Sequence, residues 1–187
     1  MSEPSTGTGK VVVNRSMSLD GFIAAPGDAM DWIFDFVAPD SPAVVEIAAA
    51  TGAMLVGRRT HEVGKRMNAN MAPGDEGYSV SSPVFVLTHE PPDPPDPGVT
   101  FLTGDIGDAV DTALAAAGGR NLEVLGADVA GQCLRRGLVD EVLVYLLPVL
   151  LGDGIRFSSP GLPRIDLEPI SSVQAGAVTI LRFRVLK

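Results

Sequence analysis

Apolar residues in this chain come in short runs, and most runs are followed by residues able to start a helix. Val11-Val12-Val13 reads as a buried strand near the start of the chain. Ala53-Met54-Leu55-Val56, Val84-Phe85-Val86-Leu87 and Leu122-Glu123-Val124-Leu125 read as further strands, 99–102 as a short one and 139–147 as a long one. Helical patterns lie between them. Asp28 is expected to cap a short helix through Met30, Trp32, Ile33 and Phe36. Ser41-Pro42 predicts a helix start, with Ser at the N-cap and Pro at the first helical position, running to Gly52. Further helices are expected over 59–67, over 105–117 with Ile106, Val110 and Leu114 on one face, and over 127–136. Residues 68–82 read as a long loop, and Pro91 to Pro97 as a stiff surface connection. Two strands near 165–170 and 177–186 close the chain without a helix between them.

Strands alternating with helices predict an α/β fold with a mostly parallel mixed sheet. The helix-free pair at the end makes the C-terminal edge antiparallel. No repeat or linker is visible. The organisation expected is a disordered tail over 1–9 and one domain over 10–187.

Composition narrows the partners. The chain has 187 residues, a net charge of -9 and a pI near 4.6. That charge argues against nucleic acid and against an anionic membrane surface. No apolar run reaches the roughly 18 residues of a membrane span, and residues 1–10 do not read as a signal peptide. A cytoplasmic location is expected. The single cysteine, Cys133, lies in a helical pattern and reads as a core residue. One Cys and two His leave little for a zinc site, so no metal is expected.

The candidate chemistry gathers at strand ends. In open α/β sheets ligands bind beyond the carboxyl ends of the strands. Gly57-Arg58-Arg59-Thr60 follows one strand, Thr88-His89 a second, and Gly126-Ala127-Asp128 a third. A helix start offers free N–H groups to an anion, and arginine adds a planar fork of donors. The three together favour an anion of dinucleotide size. His61 and His89 read as surface or groove residues, and Asp105, Asp108 and Asp111 as a solvated helix face. No G-x-G-x-x-G, P-loop or G-x-S-x-G motif is present. A second cluster combines Asn14, Ser16, Asp20, Asp31, Trp32 and Asp35, where a carboxylate near aromatic residues could bind a ring or move a proton.

Four segments in order carry a resemblance. Ser18-Leu19-Asp20-Gly21-Phe22-Ile23-Ala24 is similar to the S-x-D-G-x-I-A segment of the dihydrofolate reductase-like family, especially the reductase domain of the bifunctional riboflavin-biosynthesis enzyme. Gly57-Arg58-Arg59-Thr60 resembles that family's G-R-x-T cofactor motif. Leu125 to Gln132 with Gly137-Leu138-Val139-Asp140-Glu141 resembles its Gly-rich turn, helix and strand entry, and Pro148 to Gly154 its P-x-L-L-G-x-G. The resemblance implies a three-layer α/β/α reductase using NADPH. It implies that Gly57, Arg58, Arg59 and Thr60 hold the 2′-phosphate and diphosphate region, with Thr88 near the adenosine. Leu125, Gly126, Ala127, Asp128, Val129 and Ala130 would cover the diphosphate, and Ser16, Ile23 and Ala24 would border the nicotinamide. Asn14, Trp32 and Asp31 would lie on the substrate side, with Asp35 as the catalytic carboxylate. The implied substrate is a pyrimidine ribosylamine of the riboflavin type. Reduction of dihydrofolate or another pterin, and NADP binding without turnover, stay open as alternatives. No zinc-deaminase signature accompanies the reductase motifs. The resemblance and the apolar stretch 139–147 suggest a homodimer.

Overall fold

The computed structural model describes residues 9–37, 42–69 and 82–187. In chain order the strands are β1 (Val11–Ser18), β2 (Phe22–Ala24), β3 (Thr51–Gly57), β4 (Val84–Leu87), β5 (Val99–Leu102), β6 (Asn121–Leu125), β7 (Glu141–Leu147), β8 (Ile155–Arg156), β9 (Leu167–Ala175) and β10 (Val178–Val185). The α-helices are α1 (Pro42–Ala50), α2 (Arg58–Ala69), α3 (Ile106–Ala116) and α4 (Ala127–Arg135). Eight strands form one sheet in the order β5-β4-β3-β6-β1-β7-β10-β9, and β2 pairs with β8 beside it. From β5 through β7 every pairing is parallel, whereas β10 runs antiparallel to both β7 and β9. The mixed sheet expected from the helix-free C-terminal pair is therefore present.

Alternation along β1 divides the core between two faces. Val11 and Val13 pack with Leu55, Leu122, Val124, Val142 and Val144 under α3 and α4. Val12 joins Leu143, Tyr145 and Leu147 on the other face, covered by Trp32, Ile33, Phe36, Val44 and Ile47. The result is three layers, helices on either side of the sheet.

Several expected boundaries shift for local reasons. The Asp28-capped helix is instead two 3₁₀ turns, Pro26–Asp28 and Asp31–Asp35. Asp28 has φ of 62°, outside the helical region, and its carboxylate turns to Arg59. The following helix stops at Ala50 rather than Gly52, because Thr51 already pairs with Asn121 in the sheet. Its proposed cap, Ser41, and most of the expected loop 68–82 lie outside the described residues, as does the tail over 1–8. The strand near 165–170 extends as Leu167–Ala175, paired along β10, and its Pro169 is tolerated because β9 is an edge strand. Asp105 is no bystander on a solvated face: it caps α3 by accepting from the Gly107 N–H at 2.7 Å and pairs with Arg136 at 2.9 Å.

Two of the four motif segments are joined by one carboxylate. Asp20 accepts from the Ser18 hydroxyl at 2.6 Å and from the N–H groups of Leu151 at 3.1 Å and Gly152 at 2.8 Å. It thereby ties the turn after β1 to the segment after β7, at the carboxyl end of the sheet. The Gly137–Glu141 segment lies at the opposite end, where Asp140 accepts from the Val11 N–H at 2.9 Å and the buried Glu141 sits between Lys10 and Arg182. Its role is structural.

The Ser18 hydroxyl, followed by the two main-chain donors, holds the Asp20 carboxyl at about 2, below its ordinary 3.8. A depressed carboxyl stabilises the fold above its unfolded value, and that contribution is lost as pH falls through the folded value. Asp20→Asn is therefore expected to melt below the wild-type temperature at pH 7, with the gap closing as the pH approaches 2. A constant gap across that range, in thermal unfolding followed by circular dichroism, would contradict the assignment.

Candidate cofactor and substrate site

The parallel neighbours β3 and β6 end level with one another, Val56 opposite Leu125. Each passes directly into a helix. Gly57 leads into α2, and Gly126 leads into α4. Two helix N-termini consequently open side by side at the carboxyl edge of the sheet. Their approach demands glycine at 126. This residue has φ of 90°, and a Cβ on it would lie 2.4 Å from the Thr60 hydroxyl oxygen. A Cβ on Gly57 would stand 3.1 Å from a Val129 methyl. No side chain caps α4, so its first N–H groups face outward.

The grip expected from residues 125–130 narrows accordingly. The Ala130 N–H already donates to the Gly126 carbonyl at 3.1 Å, and the Val129 and Ala130 side chains are core residues. The donors left at this turn are the N–H groups of Ala127, Asp128 and Val129. Asp128 is exposed and accepts from Gln132 at 2.8 Å, while Leu125 is half-buried at the end of β6.

The paired arginines separate. Arg59 is held by Asp28 through two hydrogen bonds, 2.8 Å from Nε and 2.6 Å from Nη2, and Arg66 stands 3.8 Å from the same carboxylate. Arg58 is exposed and has no partner among the described residues. Thr88 is buried at the end of β4; its N–H donates to Leu102, and its hydroxyl lies 3.3 Å from both main-chain polar atoms of Glu90. His61 is fastened rather than free. Its Nε2 lies 2.9 Å from Asp96, which Lys65 also reaches at 2.9 Å, and its ring meets Phe101 edge-on. Among the described residues no group of three or more His, Cys, Asp or Glu could hold a metal.

On the other side of β1, register places Asn14 opposite Leu143 and Ser16 opposite Tyr145. These residues share the face covered by the 3₁₀ turn Asp31–Asp35, from which Trp32 packs inward and donates to Ala29 at 3.2 Å. Ile23 and Ala24 are buried in β2. The structure thus groups Asn14, Ser16 and Trp32 on one face. Asp31 and Asp35 are exposed on the same turn and make no hydrogen bond to Asn14 or Trp32.

Three residues of this region escaped the sequence reading. Tyr145 is buried on the face that carries Asn14 and Ser16. Arg15, 6% exposed, donates to the carbonyls of Asn14 at 2.6 Å, Val124 at 2.7 Å and Gly126 at 2.7 Å. Glu123, 4% exposed, accepts from Thr51 at 2.6 Å and is bonded by Asn14. The available signal was a charge inside an apolar strand, in Val13-Asn14-Arg15 and again in Leu122-Glu123-Val124.

The geometry defines an open α/β sheet whose carboxyl edge carries two helix N-termini, that of α4 uncapped, on one side of β1 and polar and aromatic residues on the other. The model of the RibD C-terminal domain matches residues 9–181, and the chain belongs to that family, whose members are reductases of riboflavin biosynthesis. It is similar to the uncharacterized protein YwjB of Bacillus subtilis (strain 168), 26% identical over 78% of this chain and 80% of that protein. Among solved structures it is similar to a Shewanella sp. PV-4 protein whose name refers to riboflavin biosynthesis, at 23% identity and a TM-score of 0.77, covering 95% of this chain and 99% of that one. Dihydrofolate reductase from Enterococcus faecalis, solved with NADP(H), has the same fold at 16% identity and a TM-score of 0.62, over 97% of this chain and 99% of that one. The fold is dihydrofolate reductase-like, as the four ordered segments imply.

Glu123 yields a test independent of any ligand. A threonine hydroxyl has one proton to give, yet Thr51 Oγ1 lies 2.8 Å from the Ile47 carbonyl and 2.6 Å from Glu123. Protonating Glu123 lets the hydroxyl turn to Ile47 while the carboxyl O–H closes the shorter contact. Burial pushes the carboxyl above its ordinary range, against the opposing effects of Thr51, Asn14 and Arg15. An acid raised in the folded state stabilises below its unfolded value, and this is lost as pH rises through the folded one. Glu123→Gln should therefore match or exceed the wild-type melting temperature at pH 8, with its advantage shrinking toward pH ~4. An advantage that grows as pH falls would refute the neutral-acid reading.

Proposed function

We propose that the chain is an NADPH-dependent reductase of the riboflavin-biosynthesis type, acting on a pyrimidine ribosylamine of the 5-amino-6-(5-phosphoribosylamino)uracil class. The observation that carries the reading is the pair of helix N-termini at Gly57 and Gly126, side by side at the sheet edge. They present main-chain donors and the unengaged Arg58 in a chain of net charge -9. A dinucleotide fits that donor set. Family membership and the NADP(H)-bound neighbour of the same fold support it.

In this reading Gly57, Thr60 and the N–H groups of 127–129 hold the diphosphate, and Arg58 meets the 2′-phosphate with Arg59 beside it. Thr88 lies toward the adenosine. Ser16, Ile23 and Ala24 border the nicotinamide, which when bound supplies the hydride. The work of the chain is to orient and to exclude water. Asn14 offers an amide to the pyrimidine edge, and Trp32 walls the ring. Asp35 is the carboxylate we assign to hold a proton near the substrate, with Asp31 as its neighbour on the same turn.

Titrating the protein with NADPH and following nicotinamide fluorescence tests the reading at its base. Binding at micromolar protein is expected, followed by oxidation with the pyrimidine rather than with dihydrofolate. Arg58→Ala should weaken NADPH by roughly tenfold or more, the size of a lost charge-assisted hydrogen bond, and leave NADH nearly unchanged. Arg59→Ala should act in the same direction but less, since Asp28 already engages that guanidinium. Equal losses for both cofactors would remove the 2′-phosphate role, and absence of NADPH binding would remove the enzyme reading altogether.

A further inference from the structure

Arg15 is buried with no carboxylate in hydrogen-bond or ion-pair contact among the described residues, and it feels Glu123 only through space. Its three hydrogen bonds all go to main-chain carbonyls, its Nε is buried with no hydrogen bond, and no carboxylate of the described residues lies in ion-pair range. Burial lowers the guanidinium to about 10, so the group is charged at neutral pH. The two nearby acids do not cancel that charge. Glu123 projects from the other face of the sheet and is itself driven toward its neutral form by burial. The Cys133 thiol, also fully buried, is pushed up to about 12 and stays protonated. An uncompensated buried cation is costly, and a fold that keeps one needs a compensating anion or a function.

Its position supplies both. Nη2 bonds the carbonyl of Gly126, the residue that turns β6 into α4 and touches Thr60 at the head of α2. Nη1 bonds Val124 two residues earlier. The guanidinium thus lies directly beneath the two helix N-termini. Every donor that could reach outward is occupied by main chain or buried, so Arg15 does not touch a ligand.

We propose that Arg15 is a positioning residue of the anion site: it holds the Gly126 carbonyl inward so that the N–H groups of 127–129 face outward, and its charge finds its counterion in the cofactor diphosphate. This rests on the NADPH reading above and adds to it the source of the positive field. Low dielectric makes a charge in that place effective across a short distance, where an exposed arginine would be screened.

The test uses the full chain with Arg15→Met and Arg15→Lys, and two probes, NADPH by fluorescence and inorganic diphosphate by competition. Arg15→Met should weaken both probes by a similar factor of roughly tenfold or more, because both present the same anion to the same donors. Arg15→Lys keeps the charge and should recover most of that loss. A merely structural arginine would lower the melting temperature of both variants and leave the affinity of the folded protein unchanged. Should Arg15→Met fail to fold, the wild-type protein still decides: the Arg15 Nε–H resonance should shift when inorganic diphosphate is added. A folded Arg15→Met that binds both probes normally, an Arg15→Lys no better than Arg15→Met, or a resonance that does not move would each overturn the proposal while leaving the NADPH reading intact. A wild-type protein that binds neither probe would take both down.

Discussion

The structure depends on one constraint: β1 lies inside the sheet, buried on both faces, and carries two buried polar residues in succession. Consecutive residues of a strand point to opposite faces. Asn14 therefore enters the layer under the Asp31–Asp35 turn, and Arg15 enters the layer under α3 and α4. Both are buried, so their polar atoms depend on protein partners, which all but the Arg15 Nε find. Asn14 and Thr51 share the carboxyl of Glu123, which links β1, β6 and the end of α1. Arg15 takes carbonyls at the end of β6 and fixes the entry to α4. One strand thus anchors the layer under the Asp31–Asp35 turn through one residue and the entry to α4 through the next.

The anion turn itself is a matter of close approach. Parallel strands that end level would start their helices too near one another if both first turns carried side chains. Glycine at 126 removes that conflict, since a side chain there would meet the Thr60 hydroxyl and the residue holds a positive φ. Asp20 does the same work at the other end of the cleft by fastening the segment after β7 to the turn after β1. The cleft is bounded by two devices built on main-chain hydrogen bonding, which explains why short glycine-containing segments mark it.

Those segments are also why much of the fold could be read from the chain. Strand–glycine–helix junctions at 57 and 126 are local, as are the runs of valine and leucine, and the order of four such segments identifies the architecture. What stayed hidden is non-local. Arg15 meets Val124 across 109 residues, and Glu123 meets Thr51 across 72. No periodicity announces either pairing. Arg59 loses its apparent freedom to Asp28, 31 residues earlier, because a left-handed residue at 28 breaks the expected helix and turns its carboxylate across. On the face under the Asp31–Asp35 turn the polar pattern singled out Asn14 and Trp32, whereas the buried Tyr145 looked like one more apolar strand residue. The exposed Asp31 and Asp35 could not be told from ordinary solvated acids, since a turn of five residues has too little periodicity to define a face.

The separation of the arginines gives the acidic chain its order. A net charge of -9 would repel a polyanionic ligand unless positive charge were concentrated locally. Several exposed arginines pair locally with carboxylates: Arg136 with Asp105, Arg164 with Asp166, Arg184 with Glu168, and Arg59 with Asp28. Such pairs contribute little field beyond their own dipoles. Arg15 and Arg58 lie at the two helix starts, one buried and one exposed at the head of α2, and neither makes an ion pair with a carboxylate among the described residues. Their charges add to the partial charges of two helix N-termini instead of cancelling against side chains. On the NADPH reading, the overall sign of the protein is a poor guide to the local sign at these two helix starts.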